Sequence, residues 1–286
     1  MSRIEFTVPP AQVGIADGIT LATRYWAASV ERWVLPVIAV GLASGLTTWL
    51  FAGSLSDRET LDRLVRLSLG GTPLEPGELP RLVAGPLAVA IVSLVAGWFL
   101  TANAIAGLRD REVTLGWVLT GGIRSFVANL LIGLVATAVL LPLLALGALG
   151  LLLALALLPV GLYLLLRTSF WTLAVFDEHG IGSGFGATWT ITRGGVLRVI
   201  GWSLALLPLG IVAAVGQLVV DAALGPAARP LADAIGGASD TVVSSYTIVV
   251  LAVLYESQRA RRLNPAVVPA APRSPFDPPP PPGPWG

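Results

Sequence analysis

Long apolar runs separated by short, arginine-bearing gaps dominate this chain. A bilayer crossing needs about 20 mostly apolar residues, and six stretches fit that template. The first covers residues 33–52, bracketed by Trp33 and Trp49 as an interfacial aromatic belt would be. The second covers residues 85–107. The third and fourth share one run from 126 to 176, broken in charge only by Arg167. As a single helix that run would reach roughly 76 Å, far beyond a hydrocarbon core of about 30 Å. It must fold back, and Gly147-Ala148-Leu149-Gly150 is the natural turn. The fifth span covers residues 199–220 and the sixth 241–255. The sixth is short, so it must borrow from residues 236–240 or from Glu256 onward. Pro159 and Pro208 inside spans predict kinks.

Ahead of each odd-numbered span the apolar spacing turns amphipathic. Ile19, Ala22, Trp26, Val30 and Trp33 recur at steps of three and four before span one. Val113, Trp117 and Val118 precede span three, and Phe185, Trp189, Thr192 and Val196 precede span five. This pattern predicts three repeats of an interfacial amphipathic helix followed by a transmembrane hairpin.

Composition sharpens the class. Hydrophobic residues make up 55% of the 286 and charged residues 12%. Soluble chains carry about 25% charge, and a soluble fold of this length could not cover its surface with half of that. The chain therefore reads as an all-α integral membrane helical bundle of about six transmembrane helices. Cysteine is absent, every one of the 18 basic residues is arginine, and His179 is the one histidine. Disulfides, thiolate chemistry, a P-loop or Schiff-base lysine and a multi-histidine metal centre are thereby excluded. The arginines are dispersed rather than gathered in a stripe, so no nucleic-acid partner is expected.

Arginine placement orients the bundle. Arg3, Arg24, Arg32, Arg109, Arg111, Arg124, Arg193, Arg198, Arg259, Arg261, Arg262 and Arg273 fall on one side of the six-span arrangement. Arg58, Arg63, Arg66, Arg81 and Arg229 fall on the other. The positive-inside rule then puts both termini in the cytoplasm. The first thirty residues hold no apolar core with a small-residue cleavage site, so no removable signal peptide is expected.

The segment from Thr168 through Asp177-Glu178-His179-Gly180 to Thr192-Arg193-Gly194 is more distinctive. An apolar span ends in an acidic-Gly turn, a small-residue and aromatic helix follows, and a new span begins. Together with Val113-Thr114-Leu115-Gly116-Trp117 and Gly121-Gly122 ahead of span three, it resembles the multi-pass membrane domain associated with glycerophosphoryl diester phosphodiesterases and with many bacterial membrane proteins. The resemblance covers residues 15–262 and implies a membrane architecture in a bacterial inner membrane. In that family's enzymes a separate soluble barrel carries catalysis with histidines and metal-binding acids. This chain holds nothing corresponding to that barrel, so the enzymatic activity does not transfer with the architecture.

Gly182-Ser183-Gly184-Phe185-Gly186-Ala187 matches a dinucleotide fingerprint by letter, but that motif requires a preceding strand and a following acid. Here it reads as turn glycines entering an interfacial helix. Asp177-Glu178-His179 has cation-binding chemistry, but three successive side chains on a turn rarely converge on one ion, and a solvated loop is expected. Arg167 is the one charge inside a clear span. If span four runs to Phe176, it lies about 13 Å inside the interface, where an arginine costs about 2.5–3.5 kcal/mol. Snorkelling, with Phe170 and Trp171 as belt residues, is the preferred reading; contact with a lipid phosphate or substrate anion is the sharper one, with Asn103 as partner or as interhelical glue. Gly41-Leu42-Ala43-Ser44-Gly45 and the stripe Ser93, Gly97, Thr101 predict close helix approach within the chain.

Residues 54–80 form the sizeable external loop, with a short amphipathic helix expected around Leu61, Leu64 and Val65. Residues 264–286 are proline-rich and predict a disordered tail with a polyproline stretch. The resulting division is a cytoplasmic segment 1–14, a six-span membrane domain 15–262 and a tail 263–286. The function expected is that of a non-enzymatic membrane scaffold or accessory protein. No catalytic residue, cofactor or metal is expected, and the partners are membrane lipids and a protein docking on the Pro-rich tail. The alternative is a transporter or lipid-handling protein using Arg167 in an intramembrane cavity.

Overall fold

A computed structural model describes residues 14–51, 78–109, 111–168, 170–178, 180–193, 196–225 and 228–263. The external loop helix expected near residue 61 and the proline-rich tail lie outside them. Nine helices and no strand occur among the described residues: α1 (Ile15–Ala28), α2 (Val30–Phe51), α3 (Glu78–Leu108), α4 (Leu115–Ala145), α5 (Gly147–Thr168), α6 (Trp171–Glu178), α7 (Ile181–Thr192), α8 (Val196–Leu224) and α9 (Arg229–Leu263). Five of them, α2, α3, α4, α8 and α9, are long and apolar enough to cross a bilayer. The chain is a membrane-embedded all-α bundle. The fourth expected span corresponds to α5, a 22-residue helix of about 33 Å with Arg167 as its one charge.

The hairpin predicted in the long apolar run is present. Leu146 breaks the helix, and Gly147 adopts φ +56°, the left-handed conformation that glycine takes without a Cβ penalty. Span four, by contrast, does not run to Phe176. It stops at Thr168, and a short helix, α6, begins at Trp171. Apolar Phe170 and Phe176 continue the hydropathy of the span, but both are buried in the protein core at this end of the bundle, where Asp177 pairs with Arg109 and Arg259. The sixth span, shortest by sequence, becomes the longest helix, extending past its apolar centre in both directions.

The threefold pattern holds at two entrances. α1 and α7 are separate short helices before α2 and α8. Before span three, however, α4 runs unbroken from Leu115, so no distinct interfacial helix stands there. Its Gly121-Gly122 pair lets aromatic rings pack onto the helix in the space that side chains would fill. A Cβ at Gly121 would strike the Phe176 ring, and one at Gly122 the Trp98 indole.

The most extensive helix contact is between α2 and α9. A Cβ at Gly41 would lie 2.9 Å from the Ala234 carbonyl oxygen, and one at Gly45 2.9 Å from that of Pro230. The GxxxG motif of α2 thus packs within the chain, as its spacing predicts. Gly97 behaves differently, because nothing lies within 4 Å of a Cβ placed there. The Ser93–Gly97–Thr101 stripe is not a close-approach seam at its centre, since the neighbouring Trp98 makes the contact with α4 instead.

The protein core gathers at one end of the bundle, around Ile105, Val118, Phe170, Leu173, Phe176, Trp202 and residues 249–255. α1, α6 and α7 cap that end. Elsewhere the spans leave their apolar faces bare: Leu35 is 72% exposed and Leu218 69%. Large bare apolar faces are costly in water and ordinary in lipid.

Candidate functional site

At the capped end, three helices remote in sequence bring charged side chains together. Arg109 follows the last turn of α3, where Arg109 and Arg111 both donate backbone hydrogen bonds to Ala106 and turn the chain. Asp177 sits near the end of α6, and Tyr255, Glu256 and Arg259 occupy adjacent turns of α9. The Arg109 guanidinium is bidentate to Asp177, with Nη2 2.9 Å from Oδ2 and Nη1 on Oδ1. It also donates to Glu256 through Nε at 2.8 Å and through Nη2. Tyr255 donates its hydroxyl to Asp177 Oδ2 at 3.0 Å. Arg259 completes the group, 3.8 Å from Asp177 and 4.0 Å from Glu256.

The Asp177 side chain is 5% exposed and that of Arg109 15%. Burial opposes ionisation of Asp177, but Arg109, Arg259 and the Tyr255 hydroxyl together hold its carboxyl below the usual carboxylate range. Burial likewise opposes the charge on Arg109, and its two carboxylates outweigh that and hold it more firmly protonated. Both groups stay charged across physiological pH. The cluster is not poised for proton transfer, which requires a group near the working pH. It is a clamp joining the ends of α3, α6 and α9.

This changes the reading of the acidic turn. Asp177 is a buried ion-pair partner, not part of a solvated loop, because folding brings the arginine of α3 and the tyrosine of α9 onto it. The side chain of Glu178 and residue 179 lie outside the described residues. Among the described residues no group of three or more acids or histidines is placed to hold a metal ion. The letter match to a dinucleotide fingerprint falls inside α7, with no strand before it. There Gly184 lets α7 lie against α6: a Cβ on it would be 2.9 Å from the Val175 backbone nitrogen.

The predicted belt residues divide. Phe170 is fully buried, tilted against Tyr255 with centroids 6.0 Å apart. Trp171 donates its indole N–H to the Ile181 carbonyl at 3.1 Å, closing the α6–α7 hairpin. An aromatic row continues from it, with Phe185 edge-on at 5.3 Å and Trp189 stacked on Phe185 at 5.9 Å. The row ends on Arg167, whose guanidinium carbon lies 4.1 Å from the Trp189 ring centroid and 5.8 Å from that of Tyr163. Arg167 stands in the last turn of α5, not deep within a span, and is 3% exposed. Snorkelling into water is therefore not its arrangement; protein aromatics cover it.

Asn103 has other neighbours. Its side-chain amide reaches toward the Arg32 carbonyl at 3.5 Å, and Tyr25 donates to the Asn103 carbonyl at 3.2 Å. It ties α3 to α1 and α2, the glue role, and the structure does not bring it together with Arg167. Burial pushes the Tyr25 hydroxyl pKa up, with the Arg32 charge and hydrogen bond opposing.

Sequence reasoning missed the Arg109–Asp177–Glu256 cluster altogether. Arg109 and Arg259 entered it only as topology markers. The signal that could have found it is the scarcity of acids near span ends in so charge-poor a chain, where each one present needs a reason. Comparison with protein-family models, with curated proteins and with solved structures finds no match to this chain.

Proposed function

We propose that this protein is a non-enzymatic membrane scaffold or accessory protein. The observation that carries the reading is the saturation of the charged cluster. The Arg109 guanidinium is bound on two sides by carboxylates, and a saturated ion cluster fixes helix ends rather than offering a free acid, base or nucleophile. A cleft of about 340 Å³ between α1, α8 and α9 is lined by Ile19, Leu206, Pro208, Val212 and Tyr246, apolar apart from one tyrosine hydroxyl. A transporter would be expected to pair ionisable groups near the bilayer midplane, and the charges described above stand at helix ends.

The arginine bias supports placing the capped end and both termini in the cytoplasm of a bacterial inner membrane, in line with the family resemblance. The capped end is then a surface facing the cytoplasm, and the proline-rich sequence that follows α9 is suited to an aromatic-lined groove on a partner. Two measurements test this. Cysteines placed at Ser2 and Ser274 should be shielded from an impermeant thiol reagent in intact cells, while Ser56→Cys and Ala223→Cys should label; labelling at Ser2 would overturn the orientation. Proximity labelling from a C-terminal fusion should mark a reproducible set of membrane neighbours that is lost with residues 264–286. Solute uptake by proteoliposomes that disappears in Arg167→Met would replace the scaffold reading with transport.

A further inference from the structure

We propose that Arg167 and Trp189 form a binding site for the phosphate of an anionic membrane lipid. Arg167 is 3% exposed, and among the described residues no carboxylate pairs with it. Its Nε is sealed from solvent without a hydrogen-bond partner. A guanidinium carries five N–H donors, and an indole face satisfies its charge by stacking without accepting from the in-plane Nε–H. The cluster at Arg109 shows the contrast, since there the same side chain is bidentate to one carboxylate and bonded to a second.

The surroundings select a lipid over other anions. Arg167 ends the 22-residue apolar helix α5, so it lies where that helix leaves the hydrocarbon and headgroups begin. The aromatic row leading to it includes Phe185 and Trp189, both exposed on the bundle surface, and aromatic rings of this kind mark headgroup depth. Tyr163 and Leu164 one turn earlier are also exposed, giving acyl chains an apolar face directly beneath the guanidinium. Local charge agrees. Between Glu178 and Asp221 the chain holds Arg193 and Arg198 and no carboxylate. Planar, bidentate donation to phosphate oxygens is the contact for which arginine is suited. Thr192, whose hydroxyl donates to the Thr188 carbonyl at 2.8 Å and approaches the Arg167 carbonyl at 3.4 Å, locks α7 over the end of α5 and keeps Trp189 in place.

The test is a thermal melt of the purified full chain in phosphatidylcholine micelles, with and without added phosphatidylglycerol. Phosphatidylglycerol should raise the wild-type melting temperature above that in phosphatidylcholine alone. Arg167→Met should lose that rise, with lipid retention in native mass spectrometry weakened about tenfold, the factor that 1.4 kcal/mol represents. Arg167→Lys, which keeps the charge without the planar fork, should retain part of the rise. Soluble glycerol phosphate should give none, and an equal rise from it would overturn the lipid assignment in favour of a free anion. Should Arg167→Met not fold, wild type offered equal amounts of the two lipids still decides: equal retention overturns the proposal. So does a phosphatidylglycerol effect that survives unchanged in a folded Arg167→Met, since stacking and the helix-end carbonyls would then suffice for this arginine.

Discussion

Replacing Arg109 by methionine tests the clamp directly. The substitution keeps an apolar stem of similar length and removes every donor that Asp177 and Glu256 receive from α3. Glu256 is 20% exposed and can rehydrate. Asp177 is 5% exposed and cannot; it keeps the Tyr255 hydroxyl at 3.0 Å and Arg259 at 3.8 Å. Breaking a buried pair by removing one partner costs about 3–5 kcal/mol, and the remaining contacts of Asp177 place the expected loss near the lower figure. Converted to temperature, that is a fall on the order of 10 °C, readable by a fluorescence melt in detergent. Adding Asp177→Asn removes the stranded charge, so the double variant should melt well above the sum of the two single losses, with a coupling of about 1–3 kcal/mol. An Arg109→Met protein that melts with the wild type, or a double variant that is simply additive, would refute the argument that these charges hold the three helix ends together.

Other perturbations follow from the same packing. Gly45→Val should separate α2 from α9, because the new Cβ would lie 2.9 Å from the Pro230 carbonyl oxygen; a loss of about 1–3 kcal/mol is expected, measured as a lowered melting temperature. Gly97→Ala meets open space and should be neutral or stabilising by up to about 1 kcal/mol through helix propensity, in the same assay. Acidification should weaken the fold through Asp177. Its folded carboxyl lies below the usual range, so its stabilisation is complete above about pH 4 and is lost as pH falls below that through the depressed value; Asp177→Asn should melt with a flatter acid limb. Deleting residues 264–286 should leave the melting temperature unchanged, because ten prolines in that stretch leave little apolar surface to pack.

Solvent class and span placement were legible in the chain itself. Lipid demands long apolar helices with few charges, and that demand is written residue by residue, so the runs around 33–52 and 85–107 and the turn at Gly147 needed no knowledge of neighbours. The GxxxG motif of α2 was legible for a similar reason, since a small-residue seam is a local pattern. Two boundaries were not. Hydropathy carried span four through to Phe176, and helix spacing set an interfacial helix apart at Val113, because neither measure registers which residues another helix covers. Phe170 read as a belt residue and is fully buried. Asp177 read as solvated and is held between Arg109 and Tyr255, whose positions lie 68 and 78 residues away along the chain. Arg167 read as an isolated charge to be carried to water, and only the return of α7 set an indole over it. Partition between water and lipid is a property of each residue and its near neighbours, and the sequence by itself determined that much. Which charges meet, which aromatics are covered and which cation is left with a ring in place of a carboxylate depend on how helices pack across the bundle, and only the tertiary structure decided those.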